Sequence, residues 1–145
     1  MIRVEIIPTE FSHIRLLCEN MREREREAFM TLGESPERVL TQEVAKNLLS
    51  YTGLADGKVV VIWGARCDTI LSDEAFVWAV FTEHLYEVPI TMLRHSREGL
   101  DILRSNFKRF HGFVLGDFEC SQRWLRWLGF TIDPPEGPFC RFRMG

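Results

Sequence analysis

"QRWLRWLGFTID", residues 122–133, sets Trp124, Leu125, Trp127 and Leu128 ahead of a glycine and then a strand-like run. A helix so short, so apolar and so sharply stopped reads as an element pressed onto a sheet. Trp124 and Leu128 fall one turn apart, and Leu125 completes the apolar face. Gly129 suits the left-handed C′ conformation that ends many helices. Phe130 then re-enters the core as the chain turns into a strand.

The flanks support this reading. "FHGFVLGDF", 110–118, is a strand ahead of the helix, and "FTID" and "PFCRFRM" are strands behind it, around a Pro-Pro-Glu-Gly-Pro turn. Upstream, "PITMLRHSREGLDILRSNFKRF" reads as a helix over 89–109. Pro89 opens it, Ile90, Leu93, Leu100, Leu103 and Phe107 share one face, and Gly99 permits close packing on the sheet. "DEAFVWAVFT", 73–82, is a continuous apolar strand expected to be buried on both faces. A parallel pairing of 75–82 with 110–118 follows, because a helix connects them. Asp56-Gly57 between two apolar runs signals a two-residue hairpin.

Nearer the N-terminus, "IRVEIIP", 2–8, reads as a strand ending at Pro8. Thr9 is the expected N-cap of a helix running to Gly33. Its middle, "REREREAF", alternates in charge and reads as a solvated helical face rather than a catalytic carboxylate cluster. A second helix starts with Ser35 and Pro36 and carries Leu40, Val44 and Leu48 as its stripe. Strands interleaved with helices in this order suit a mixed α/β sheet of about seven strands with helices on both faces.

Composition bounds function. The 145 residues fit one domain, 1–145, and 46% hydrophobic with 12% aromatic residues supply a real core. A net charge of −3 lacks the basic footprint of a nucleic-acid binder. No apolar run approaches the ~20 residues of a membrane span. The N-terminus lacks a signal-peptide layout. Cys18, Cys67, Cys120 and Cys140 stand far apart and read as reduced, mostly buried thiols of a cytoplasmic protein.

With "WLRWLGF" as its last helix, this element order resembles the GNAT acyltransferase fold. Three stretches, "MREREREAFMTLGESPERVL", "ADGKVVVIWG" and "CSQRWLRWLGFTID", resemble GNAT-like proteins of tailed phages and prophages, including the internal virion protein A family of short-tailed phages. In active GNAT enzymes the central strand runs into a glycine-rich turn whose backbone N–H groups hold the pyrophosphate of acyl-CoA. The matching junction here is "FTEHLYEVPIT", 81–91. It has no glycine, carries Glu83 and Glu87, and loses an amide donor at Pro89. Many members also place a tyrosine four residues before the last helix's glycine, to protonate the leaving thiolate. Leu125 stands there, and nothing in the sequence brings Tyr86 to a thioester.

The resemblance places a cleft where the central strands diverge, near Thr82, Glu83 and His84 on one side and Asp117 and Glu119 on the other. Glu83 or His84 is the candidate base for deprotonating an amine. Arg94 and Arg97 are the candidate phosphate ligands in place of the missing loop. Cys120, at a helix start, is a remote candidate nucleophile. The departures favour a vestigial or non-enzymatic GNAT-like phage protein, an accessory virion or host-interaction component with a phage structural or host partner, in the host cytoplasm or the virion. On that reading no cofactor is expected. The alternative is an acetyl-CoA-dependent N-acetyltransferase. Neither reading calls for nucleic acid, a membrane or a metal, and neither fixes the oligomeric state.

Overall fold

The computed structural model describes residues 2–46, 49–67, 69 and 71–145. Seven strands, β1 (Val4–Pro8), β2 (Leu49–Ala55), β3 (Lys58–Arg66), β4 (Glu74–Phe81), β5 (Arg109–Leu115), β6 (Thr131–Ile132) and β7 (Phe139–Met144), form one mixed sheet. Their order is β1-β2-β3-β4-β5-β7-β6. Helices α1 (Phe11–Glu19), α2 (Glu23–Leu32) and α3 (Pro36–Lys46) belong to one face, where Ile14, Leu17, Phe29 and Leu40 pack on Val59, Ile62 and Val80. Helices α4 (Pro89–Asn106) and α5 (Glu119–Leu128) cover the other, where Leu100, Leu103, Leu125 and Leu128 pack on Ala75, Val77, Phe110 and Val114.

Every neighbouring pair is antiparallel except β4 and β5, which are parallel as the helical crossover requires. Their pairing is short, from Glu74↔Arg109 to Phe76↔His111, and beyond it the strands part. Gly112 lies where they still touch. A Cβ there would sit 2.6 Å from the Val77 carbonyl oxygen and 2.3 Å from Cζ of Phe142, so only glycine lets β5 come this close.

The turn chemistry matches the sequence. Asp56 (φ 48°) and Gly57 (φ 80°) close the β2–β3 hairpin in the left-handed region. Gly33 and Gly129 end α2 and α5 with φ of 69° and 107°. Leu125 and Leu128 are buried, but Trp124 is only partly so, because its ring edges an open cleft. Gly99 carries α4 directly over Trp63: a Cβ would lie 3.4 Å from its ring.

Four details differ from the sequence reading. The helix expected from residue 10 to Gly33 breaks at Asn20–Arg22. There Met21 makes an antiparallel bridge with Thr82, and Asn20 O accepts the Glu83 N–H. Glu10, not Thr9, is the N-cap of α1, and it exchanges a capping box with His13; the Thr9 hydroxyl instead joins those of Ser50 and Thr52. The buried stripe of α4 is Met92, Gly99, Leu100 and Leu103, while Ile90 is 71% exposed. At 100° per residue Ile90 and Leu103 point away from each other, whereas Met92, Gly99 and Leu103 share a face. Phe76 and Trp78 are half-buried, so β4 is not covered fully on both sides. Leu48, expected in the α3 stripe, lies outside the described residues.

Candidate functional site

Where β4 and β5 part, a cleft of about 930 Å³ opens through the sheet. On the α4–α5 side its walls include Met92, Ser96, Leu115 and Trp124. Trp124 meets the Phe81 ring edge-on at 5.4 Å between centroids, and its Nε1–H donates to Ser96 Oγ at 3.1 Å. Ser96 Oγ in turn donates to Met92 O at 2.7 Å.

The strand edge facing this gap is polar. Thr82 N–H donates to Val60 O, so β4 turns every second peptide toward β3. By that alternation Ala79 and Phe81 turn their N–H groups the other way, toward the gap. The Glu25 carboxylate lies by the Phe81 N–H, which favours its ionised form, while the Ala79 peptide lies one step back along the same edge.

Of the carboxylates lining the cleft, Glu25 is the one beside the Phe81 end of this edge, and it comes from the charged run that reads as a solvated face. Arg22 is only 4% exposed, with its guanidinium carbon 5.0 Å from the Phe81 ring centroid and 5.1 Å from that of Phe118. It therefore bridges the end of β4 to the residue preceding α5, across the wide end of the gap. Its Nε donates to Glu25 Oε1 at 3.2 Å, and Nη2 donates to the same oxygen. Burial pushes the Glu25 carboxyl above its ordinary range, against the opposing pull of Arg22 and the Phe81 N–H. Arg24, beside it, donates to Asp117 Oδ1 at 2.5 Å, tying α2 to the loop after β5. The break at residues 20–22 turns this part of α2 inward. Sequence periodicity does not show that break, which rests on a bridge to Thr82.

The residues singled out from sequence are placed differently. Thr82 is fully buried and donates its hydroxyl to Val59 O at 2.7 Å. Glu83 and His84 begin a 3₁₀ turn, Glu83–Glu87, beyond the end of β4, and neither lines the cleft. His84 Nδ1 lies 3.7 Å from Glu87 Oε2. Arg94 and Arg97 lie on the exposed side of α4, Arg97 with its guanidinium 4.1 Å over the Trp127 ring. Asp117 is held by Arg24, and Glu119 is exposed in the first turn of α5. Leu125 is core, Tyr86 is exposed in the 3₁₀ turn, and Cys120 is exposed.

The cleft, mostly apolar with a polar edge along β4, leaves room for a small ligand. The junction after β4 does not fit a diphosphate. Four of its N–H groups are spent inside the protein: Glu83 on Asn20 O, His84 on Thr82 Oγ1, Leu85 on Thr82 O and Val88 on Leu85 O. Pro89 has none, and Glu83 and Glu87 display carboxylates to solvent.

No protein-family model matches the chain, and no curated protein matches it. Many solved structures share its fold. The PaiA N-acetyltransferase from Thermoplasma acidophilum, in complex with coenzyme A, superposes with a TM-score of 0.70 at 15% identity, over 97% of this chain and 98% of that one. The GNAT domain of S. lividans PAT gives 0.70 at 15%, over 99% and 89%. A GNAT-family acetyltransferase from Streptococcus pneumoniae gives 0.63 at 12%, over 98% and 99%. With seven strands in this order, helices on both faces and a parting β4–β5 pair, the chain has the GNAT-type N-acetyltransferase fold.

Proposed function

We propose that the protein transfers an acyl group from a thioester to an amine in the gap between β4 and β5. The observation that carries this reading is Glu25, a buried carboxylate with a raised pKa on the same strand edge as the gap-facing peptide of Ala79. Two residues along a strand span about 7 Å, so a base at Phe81 stands one small molecule away from a carbonyl at Ala79. The Ala79 N–H polarises the acyl oxygen and stabilises the charge that grows on it. The amine nitrogen attacks the acyl carbon and loses its proton to Glu25, directly or through one water. The C–N bond forms, the C–S bond breaks, and the thiolate leaves to take a proton from solvent. The coenzyme A in the related T. acidophilum structure supports the choice of a thioester donor.

A second reading keeps the fold without the chemistry, as an accessory virion or host-interaction component of a tailed phage. The inward amides of Glu83, His84, Leu85 and Val88 and the apolar Leu125 bear on the missing chemistry alone, and the phage role rests on the sequence resemblance. One experiment separates the two. Purified protein is incubated with an acetyl thioester and a panel of primary amines, and thiol release and acetylated product are measured together. The first reading expects stoichiometric thiol and amide, with Glu25→Gln slower by roughly 10²-fold or more. Wild-type protein that acetylates no amine would sink it.

A further inference from the structure

Resting on the acyl-transfer reading, we infer that this site recognises its donor through the acyl group and the adjoining arm alone. The nucleotide end of a coenzyme A thioester then adds no affinity. The two ends of the cleft differ in what they offer. Along β4 a thin, partly apolar arm meets Phe81, Met92, Leu115 and Trp124, with the Ala79 peptide and the Ser96 hydroxyl as polar contacts. A cleft of this size, mostly apolar with a few placed polar groups, is what a small ligand needs.

From Glu83 to Pro89 the end beyond β4 offers a phosphate no cradle of outward N–H groups. Diphosphate sites work because several N–H groups point outward at once, with no side chain in the way. From Glu83 to Val88 the chain instead coils into a 3₁₀ turn. Glu83, His84, Leu85 and Val88 donate inward, at 2.9, 3.2, 3.2 and 3.1 Å. The charge is also of the wrong sign: the Glu83 carboxylate is exposed, and that of Glu87 faces solvent 3.7 Å from His84. Of the two arginines that could offset this, Arg97 already stacks on Trp127. An anionic nucleotide is thus left with Arg94 and the first-turn N–H groups of Ile90 and Thr91, and it meets like charge from Glu83 and Glu87.

The test is a donor series with one amine at moderate salt. S-acetyl-N-acetylcysteamine, S-acetylpantetheine and acetyl-CoA are compared by kcat/KM. Pantetheine, coenzyme A and adenosine 3′,5′-bisphosphate are compared by quenching of tryptophan fluorescence. S-acetylpantetheine and acetyl-CoA are expected within about 5-fold of each other, with no effect of the bisphosphate up to ~1 mM. A preference for acetyl-CoA above about 100-fold, or competition by the bisphosphate at micromolar concentration, overturns the inference while acyl transfer stands. If no donor reacts with any amine and no arm binds, acyl transfer itself fails, and this inference falls with it.

Discussion

Glu25 titrates in a place where its ionised form is disfavoured, and that has two consequences of opposite sign. For the proposed acyl transfer the base must be ionised. The acid limb of the rate profile is expected above 4.5, the carboxyl's unperturbed value, and should vanish in Glu25→Gln. For stability the protonated form is the better buried one. A folded pKa raised above the unfolded value contributes stability present below the unfolded pKa and lost as pH rises through the folded one. Denaturant melts at a series of pH values should therefore show wild type losing ground to Glu25→Gln as pH rises from about 4.5. A difference that stays flat would mean that Glu25 is solvated. Cys18 gives a second check at this scale. Burial, and then the negative charge of Glu37, push its thiol up to about 11, whereas Cys120 is exposed. A thiol-reactive chromophore at pH 8 should label Cys120 in the native protein and reach Cys18 only on unfolding.

Among the elements, α5 carries the clearest test. Trp124 loses its Phe81 and Ser96 contacts on truncation, but its ring is only partly buried. Trp124→Ala should cost about 2–3 kcal/mol in urea melts, below the ~3–5 kcal/mol of a fully buried aromatic. A cost under ~1 kcal/mol would mean that the ring is not wedged against β4. Helix α5 was legible because its features are local: a dense apolar face, then glycine. The Asp56-Gly57 hairpin and the Gly33 stop were legible for the same reason. What failed was tertiary. The break between α1 and α2 depends on residues 20–22 meeting Phe81–Glu83, which are far apart in sequence, and with it Arg22 and Glu25 turn inward. An alternating charge pattern looks alike whether half of it faces water or a cleft. Ile90 misled because an apolar residue near a helix start need not lie on the buried stripe.

At the scale of the molecule, the fold depends on a narrow contact between two antiparallel sub-sheets, β1–β4 on one side and β5, β7 and β6 on the other. Gly112→Ala places a methyl group against the Val77 carbonyl and the Phe142 ring at once. Overpacking of this kind typically costs about 1–3 kcal/mol. The expected outcome is a lower melting temperature and faster amide exchange in both β4 and β5 than in β2 or β3. Unchanged exchange at those strands would show that the sheet tolerates the added volume.

The shortness of that contact bears on how the molecule could be taken apart. Severing the backbone at exposed Tyr86 would leave two pieces, each keeping a whole antiparallel sub-sheet, joined by a three-residue seam and by the packing of α4 and α5. Phe81 belongs to the first piece and Phe118 to the second, and both line the cleft, so a molecule lodged between β4 and β5 would touch both pieces. Such a molecule would act as an adhesive, and the rejoining of the split halves would report its presence without any chemistry taking place.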